Sequence, residues 1–154
     1  MVLKCHERKF PMLLRLLMVV FALSLTVAPA AAAPAGMQLP PQPKVRPAGM
    51  PAGYVMVSPC VPAMGEHWAN PKDMTAPIYG TYHGKLVFSE IMVPKSQFDK
   101  GFNYLNLRAL PGHTIQHVDI EYEPHGHEGM PIPHYDIHAY YVSHATHMAY
   151  CPAG

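Results

Sequence analysis

From Tyr54 onward, apolar runs are short and are cut roughly every 8 to 12 residues by Pro, Gly or Asn, the punctuation of a β protein. That rhythm constrains the fold more than any other feature of the chain. "YVMVS" (54–58) reads as a short strand. "PIYGTYHGKLVFSEIMV" reads as a hairpin, with Ile78–Tyr82 and Lys85–Val93 joined at His83-Gly84. "TIQHVDIEYE" (114–123) alternates: Val118, Ile120 and Tyr122 point one way, and His117, Asp119, Glu121 and Glu123 the other. The expectation is that the apolar set is buried and the charged set wet. "YDIHAYYV" is the last strand, rich in aromatics that suit a pleated surface. Only "KSQFDKG" (95–101) suggests a helix, capped by Ser96 and stopped by Gly101. The fold expected is all-β, a small antiparallel sandwich or barrel with at most one short helix.

Upstream, the chain has a different character. Lys4, Arg8, Lys9 and Arg15 precede an uncharged run from Leu16 to Ala28, followed by small residues that satisfy the A-x-A rule. Residues 1–32 therefore read as a signal peptide, cut after Ala30 or Ala32, and no membrane anchor is expected to remain. Residues 33–53 repeat "PAGM" and are dense in proline, which favours an extended spacer. Residues 54–151 are long enough for one domain with one core. An exported location, periplasmic or extracellular, follows.

Loss of the signal removes four of the 11 basic residues and one of the 10 acidic ones, leaving seven against nine. A mildly acidic domain lacks the electrostatic footprint of a nucleic-acid binder. Ten of the 11 histidines remain. Of the three cysteines, Cys60 and Cys151 remain, and in an exported domain they read as a disulfide. Free thiols and metal ligation are the competing readings.

"PHYDIHAYYV" (133–142) carries His134, Asp136 and His138 at alternate positions. On a strand, residues two apart are separated by about 6.5–7 Å and residues four apart by about 13 Å. His134 and His138 therefore cannot share an ion on a regular strand, but either can pair with Asp136. Further donors must arrive from other segments. In "VFSE", Glu90 falls on the face of Leu86 and Phe88, where an unpaired carboxylate is costly to bury. His67 lies beside the only tryptophan, and "HGHEG" supplies His125, His127 and Glu128. Imidazole with carboxylate suits Zn²⁺, Mn²⁺, Fe²⁺ or Cu²⁺. The alternative is a set of structural histidines hydrogen-bonded to acidic neighbours. His113, His117, His144 and His147 read as surface or loop residues. Eight methionines survive signal removal, which leaves periplasmic copper handling as a further reading, although they are scattered as core fillers are. No G-x-S-x-G elbow, phosphate loop or CxxC is present.

In order and spacing, "MGEHW", "PIYGTYHGKLVFSE" and "YEPHGHEGMPIPHYDIHAYYV" resemble an uncharacterised family of exported bacterial β-domains. The match spans about residues 58–142. One relative belongs to a thermophile's sigma-factor/anti-sigma-factor regulon and forms a homo-oligomeric ring of β-sandwich protomers. The resemblance implies a homo-oligomer, and it places the family's polar positions at His67, Glu90, His127, His134, Asp136 and His138. It brings no established activity, so the small-molecule ligand and any reaction stay open. Here "GHEGM" replaces the family's G-H-x-P, and Ala139 replaces an aromatic.

Overall fold

The computed structural model describes residues 38–152, and the expected signal segment lies outside them. Six strands form a single sheet in the order β1-β2-β3-β4-β6-β5, with every neighbouring pair antiparallel. The strands are β1 (Val55–Val61), β2 (Gly65–Ala69), β3 (Ile78–Tyr82), β4 (Lys85–Pro94), β5 (His117–Glu123) and β6 (His134–Tyr140). The all-β expectation holds. The sheet is open, with β1 and β5 at its edges, so it is not closed into a barrel, and the described residues form no second sheet to make a sandwich.

The hairpin of β3 and β4 falls where the sequence put it, because His83 (φ 49°) and Gly84 (φ 74°) supply the two left-handed positions of a tight turn. The helix expected near Ser96 is one turn, α1 (Lys95–Phe98), with Pro94 rather than Ser96 at its N-cap. A second turn, α2 (His144–His147), exceeds the single helix expected. Ser143 caps it by accepting from the Thr146 N–H.

One irregularity decides which side chains meet. Gly80 pairs with Phe88 and Thr81 with Leu86, so Val87 is an extra residue on β4. Glu90 was expected on the face of both Leu86 and Phe88. The bulge separates those two: Leu86 joins Met50, Tyr54, Trp68, Tyr79 and Tyr141 in an apolar core on one face. Phe88 and Glu90 turn to the other face, opposite Tyr140 and His138 of β6.

That second face carries His134, Asp136, His138 and Tyr140 of β6, which alternate with Tyr135, Ile137 and Ala139 on the opposite face. The register of β5 places His117, Asp119, Glu121 and Glu123 on the polar face as well. The sequence expectation for β5 is thus reversed. Its apolar residues are the exposed ones, at 51% for Val118, 64% for Ile120 and 43% for Tyr122. Alternation was read correctly, but the side that finds partners is the charged one, because His138 and the histidines of α2 meet it there.

Two features tie the periphery to the sheet. Cys60 on β1 and Cys151 are paired, their Cα atoms 5.7 Å apart, within the usual disulfide range. Residues 38–53 form no regular element, yet Met50 is buried in the first core and Gln42 lies along the β1 edge. The Gln42 amide donates to Met56 O at 2.8 Å, and its oxygen accepts from Met56 N at 2.9 Å. An edge strand covered in this way is a poorer template for chance pairing.

Candidate metal centre

The six residues singled out from the sequence gather on the polar face in two groups, His67 with Glu90 and His138, and His127 with His134 and Asp136. His134 and His138 fall in different groups, as strand geometry requires.

The first group is the deeper. His67 enters from β2, Glu90 from β4 and His138 from β6. Glu90 Oε2 lies 3.8 Å from His67 Nε2 and 3.6 Å from His138 Nε2. Glu90 Oε2, His138 Nδ1 and His138 Nε2 are buried without a hydrogen-bond partner. Native proteins seldom leave such groups unsatisfied. Ser58 Oγ lies 3.0 Å from His67 Nδ1 and fixes that ring, which turns Nε2 toward Glu90. Phe88 closes the floor, its ring edge-on to His67 at 5.2 Å and to His138 at 4.9 Å. Gly80 makes room for it, because a Cβ there would fall inside the Phe88 ring.

Burial governs the electrostatics of this group. It drives the Glu90 carboxyl up to about 7, against the opposing pull of His138. Burial, with the charges of His138 and His127, drives His67 down to about 3, so its ring stays neutral and a lone pair remains available. For His138, burial pushes the pKa down, but Glu121 and Glu90 outweigh it and the net shift is upward. Glu121 Oε2 stands 3.4 Å from His138 Nδ1, an ion-pair distance without hydrogen-bond geometry.

The second group is more open and its donor atoms are closer. His134 Nδ1 donates to Ile132 O at 2.6 Å, and His127 Nδ1 donates to Glu128 O at 2.8 Å. A carbonyl can only accept, so each neutral ring carries its proton on Nδ1 and a lone pair on Nε2. The two Nε2 atoms face each other at 3.0 Å. Asp136 adds carboxylate oxygens at 3.0 Å from His134 Nε2 and 3.3 Å from His127 Nε2. Three acceptors aimed at one point share a cation, which is either a proton on His127, where burial lowers the pKa but the Glu128 carbonyl and Asp136 outweigh it and raise the pKa, or a metal ion. Separations near 3.0 Å are those of neighbouring ligands on an octahedral ion with bonds of about 2.1 Å, and two histidines with one carboxylate form the facial set of open-sited metals. The carbonyls behind the rings are the partners that orient ligating histidines.

No family model matches the chain, and no curated protein is similar to it. Among solved structures, it is similar to a hypothetical protein from Thermus thermophilus, with 28% identity and a TM-score of 0.49. The likeness covers 56% of this chain and 80% of that one. The donor sets therefore speak for themselves.

Sequence reading missed Glu121 and Ser58, which position ligands rather than supply them. It also set aside His117, His144 and His147, of which His147 is buried and His117 half-buried. His117 and Asp119 alternate on one face of β5, and His144 and His147 are spaced for one turn of helix. Those were the available signals. The remaining histidine of "HGHEG", His125, is exposed and joins neither group.

Proposed function

We propose that this is an exported metal-binding domain that holds divalent ions at the His127/His134/Asp136 and His67/Glu90/His138 clusters. The observation that carries the reading is the meeting of two Nε2 lone pairs and a carboxylate at 3.0–3.3 Å, with both Nδ1 atoms committed to carbonyls. Zn²⁺, Mn²⁺, Fe²⁺ and Cu²⁺ all suit imidazole and carboxylate donors. His127 is partly exposed, so the shallower site has protein ligands on one side and access for water or a small ligand on the other. Such a site would bind a small oxygen- or nitrogen-bearing ligand or activate a bound water. Export is supported by the signal-like N-terminal pattern and the paired cysteines. No helix among the described residues is long and apolar enough to cross a membrane.

Elemental analysis of protein purified without a histidine tag tests the proposal. Stoichiometric divalent metal, reduced by one ion per chain in Asp136→Asn, is expected. Absence of metal, with no change in Tm on adding Zn²⁺, Mn²⁺ or Cu²⁺, overturns it.

A second reading has its own observation. Val118, Ile120 and Tyr122 form an exposed apolar row on an edge strand, continuous with Tyr135 and Ile137 of β6. Such a row marks an interaction surface, and it supports homo-oligomeric assembly through β5. Light scattering separates the two: a monomer that binds metal leaves the first reading alone standing.

A further inference from the structure

Beyond those two clusters, a third set of donors gathers where α2 crosses the β5 end of the polar face. We infer that His117, Asp119, His144 and His147 form a separate, closed tetrahedral site for Zn²⁺ that fastens α2 to the sheet.

The donor geometry is that of a tetrahedron. His147 Nε2 lies 3.0 Å from His144 Nδ1 and 3.3 Å from His117 Nε2. Asp119 Oδ2 lies 3.5 Å from His147 Nε2, 3.6 Å from His144 Nδ1 and 3.7 Å from His117 Nε2. Zinc bonds of about 2.0–2.1 Å to nitrogen and oxygen put neighbouring tetrahedral ligands about 3.3–3.4 Å apart. These five edges bracket the zinc value, and four of them exceed the octahedral spacing near 3.0 Å that suits His127, His134 and Asp136.

The chemistry of His147 makes the case independent of spacing. This ring is 3% exposed, and its Nδ1 donates to Ala63 O at 2.7 Å. The neutral ring therefore presents an unprotonated Nε2 to the cluster, where it meets two more imidazoles and a carboxylate. An N–H of His144 or His117 or a shared cation would meet that acceptor, and the Asp119 carboxylate beside all three rings favours the cation. The Ala63 carbonyl takes the role of the outer partner that fixes a ligating histidine. Tyr140 lies under the His147 ring at 3.9 Å, and His117 stacks on the same tyrosine at 4.9 Å, so two of the four ligands are held before metal arrives. Four protein donors fill a tetrahedron and leave no position for substrate, which is the signature of a structural zinc.

His117 and Asp119 come from the edge strand β5, and His144 and His147 from the segment after β6. An ion there would join the C-terminal turn to the strand farthest from Cys60, the residue that holds the chain at Cys151. The site shares no ligand with the two clusters described above, so its fate is separable from theirs.

The experiment counts zinc per chain, with ZnCl₂ and CoCl₂ as probes. The His144→Ala/Asp119→Asn variant is compared with wild type by elemental analysis after dialysis. The His144 side chain is 65% exposed, so its removal leaves the packing intact. The variant is expected to bind one ion fewer per chain, and to lose the intense visible absorption of tetrahedral cobalt. Its α2 amides are expected to exchange faster. The reciprocal variant, Asp136→Asn/Glu90→Gln, is expected to keep one tightly held zinc and that cobalt spectrum. Wild type and the His144→Ala/Asp119→Asn variant binding equal amounts of zinc, with unchanged cobalt spectra, overturns the inference. If only the reciprocal variant lacks a change in metal content, the central clusters fail and this site stands.

Discussion

Glu90→Gln tests the reading of the deep cluster most directly, because it removes a charge and little else. Glu90 is 2% exposed and its carboxyl is held up to about 7 by burial, against 4.5 for the free group. Between those values the folded protein keeps a proton that the unfolded chain has released. Stability therefore falls as pH rises from 4.5 to 7, and the loss amounts to about 3 kcal/mol. The amide of the Glu90→Gln variant has no such proton to lose, so at pH 4.5 the two metal-free proteins differ only by the exchange of a neutral acid for an amide. By pH 7.5 the balance should have moved about 3 kcal/mol in favour of the variant. His67 contributes a slope of opposite sign, since its lowered pKa costs stability as pH falls below 6.5. That slope is common to both proteins and cancels in the comparison. Urea unfolding in the presence of a chelator at the two pH values, with the disulfide intact, measures the difference. Zinc reverses the ranking: the wild type gains about 4.1 kcal/mol at a metal concentration about 1,000 times Kd, and the variant, lacking the carboxylate ligand, gains much less. A wild-type–variant difference that does not change with pH refutes the account of Glu90, as does a variant less stable than wild type at pH 7.5 in chelator.

Other outcomes follow from single contacts. Gly80→Ala pushes the Phe88 ring out of place, so a loss of about 1–3 kcal/mol is expected, together with weaker metal binding at the His67 cluster; thermal melts and zinc titration read both. Cys60→Ser/Cys151→Ser removes a bridge that spans 91 residues and should cost about 2–5 kcal/mol, seen as a lower urea midpoint in metal-free protein. Ser58→Ala frees the His67 ring, with an expected loss of metal affinity of about 10- to 100-fold and little change in unfolding. Ile120→Lys places a charge in the exposed β5 row; if that row is an assembly surface, light scattering will show smaller particles with unchanged circular dichroism.

Much of the sheet was legible because its signals are local. His83-Gly84 fixes the turn between β3 and β4 whatever the rest of the chain does, and aromatic alternation marks β6. β2 escaped notice because "GEHWA" is five residues long and does not alternate cleanly. β5 shows where a pattern stops informing: alternation sorts residues into two faces but does not say which face is inside. That depended on the histidines of α2 meeting Asp119 and on His138 meeting Glu121, contacts made with the chain that follows β5. The six candidate ligands could be named because a buried carboxylate and paired histidines are chemically conspicuous on any strand. Their division into two groups follows from the spacing along β6, but the convergence of His144 and His147 on β5 depends on how the C-terminal segment folds back after Tyr141. Ser143 starts the turn without saying which strand it will cross.

The extra residue at Val87 sets the phase of everything after it on β4. A pleated strand is read in steps of two, so drawing Val87 into the ladder opposite Gly80 would act as a frameshift in space rather than in sequence. Ser89 and Ile91 would turn toward the histidines, and Glu90 would swing into the apolar side. Every amino acid of the cluster would still be present, in the same order, and the cluster would be gone. The chemistry of this face is therefore held by a count of residues as much as by their kind.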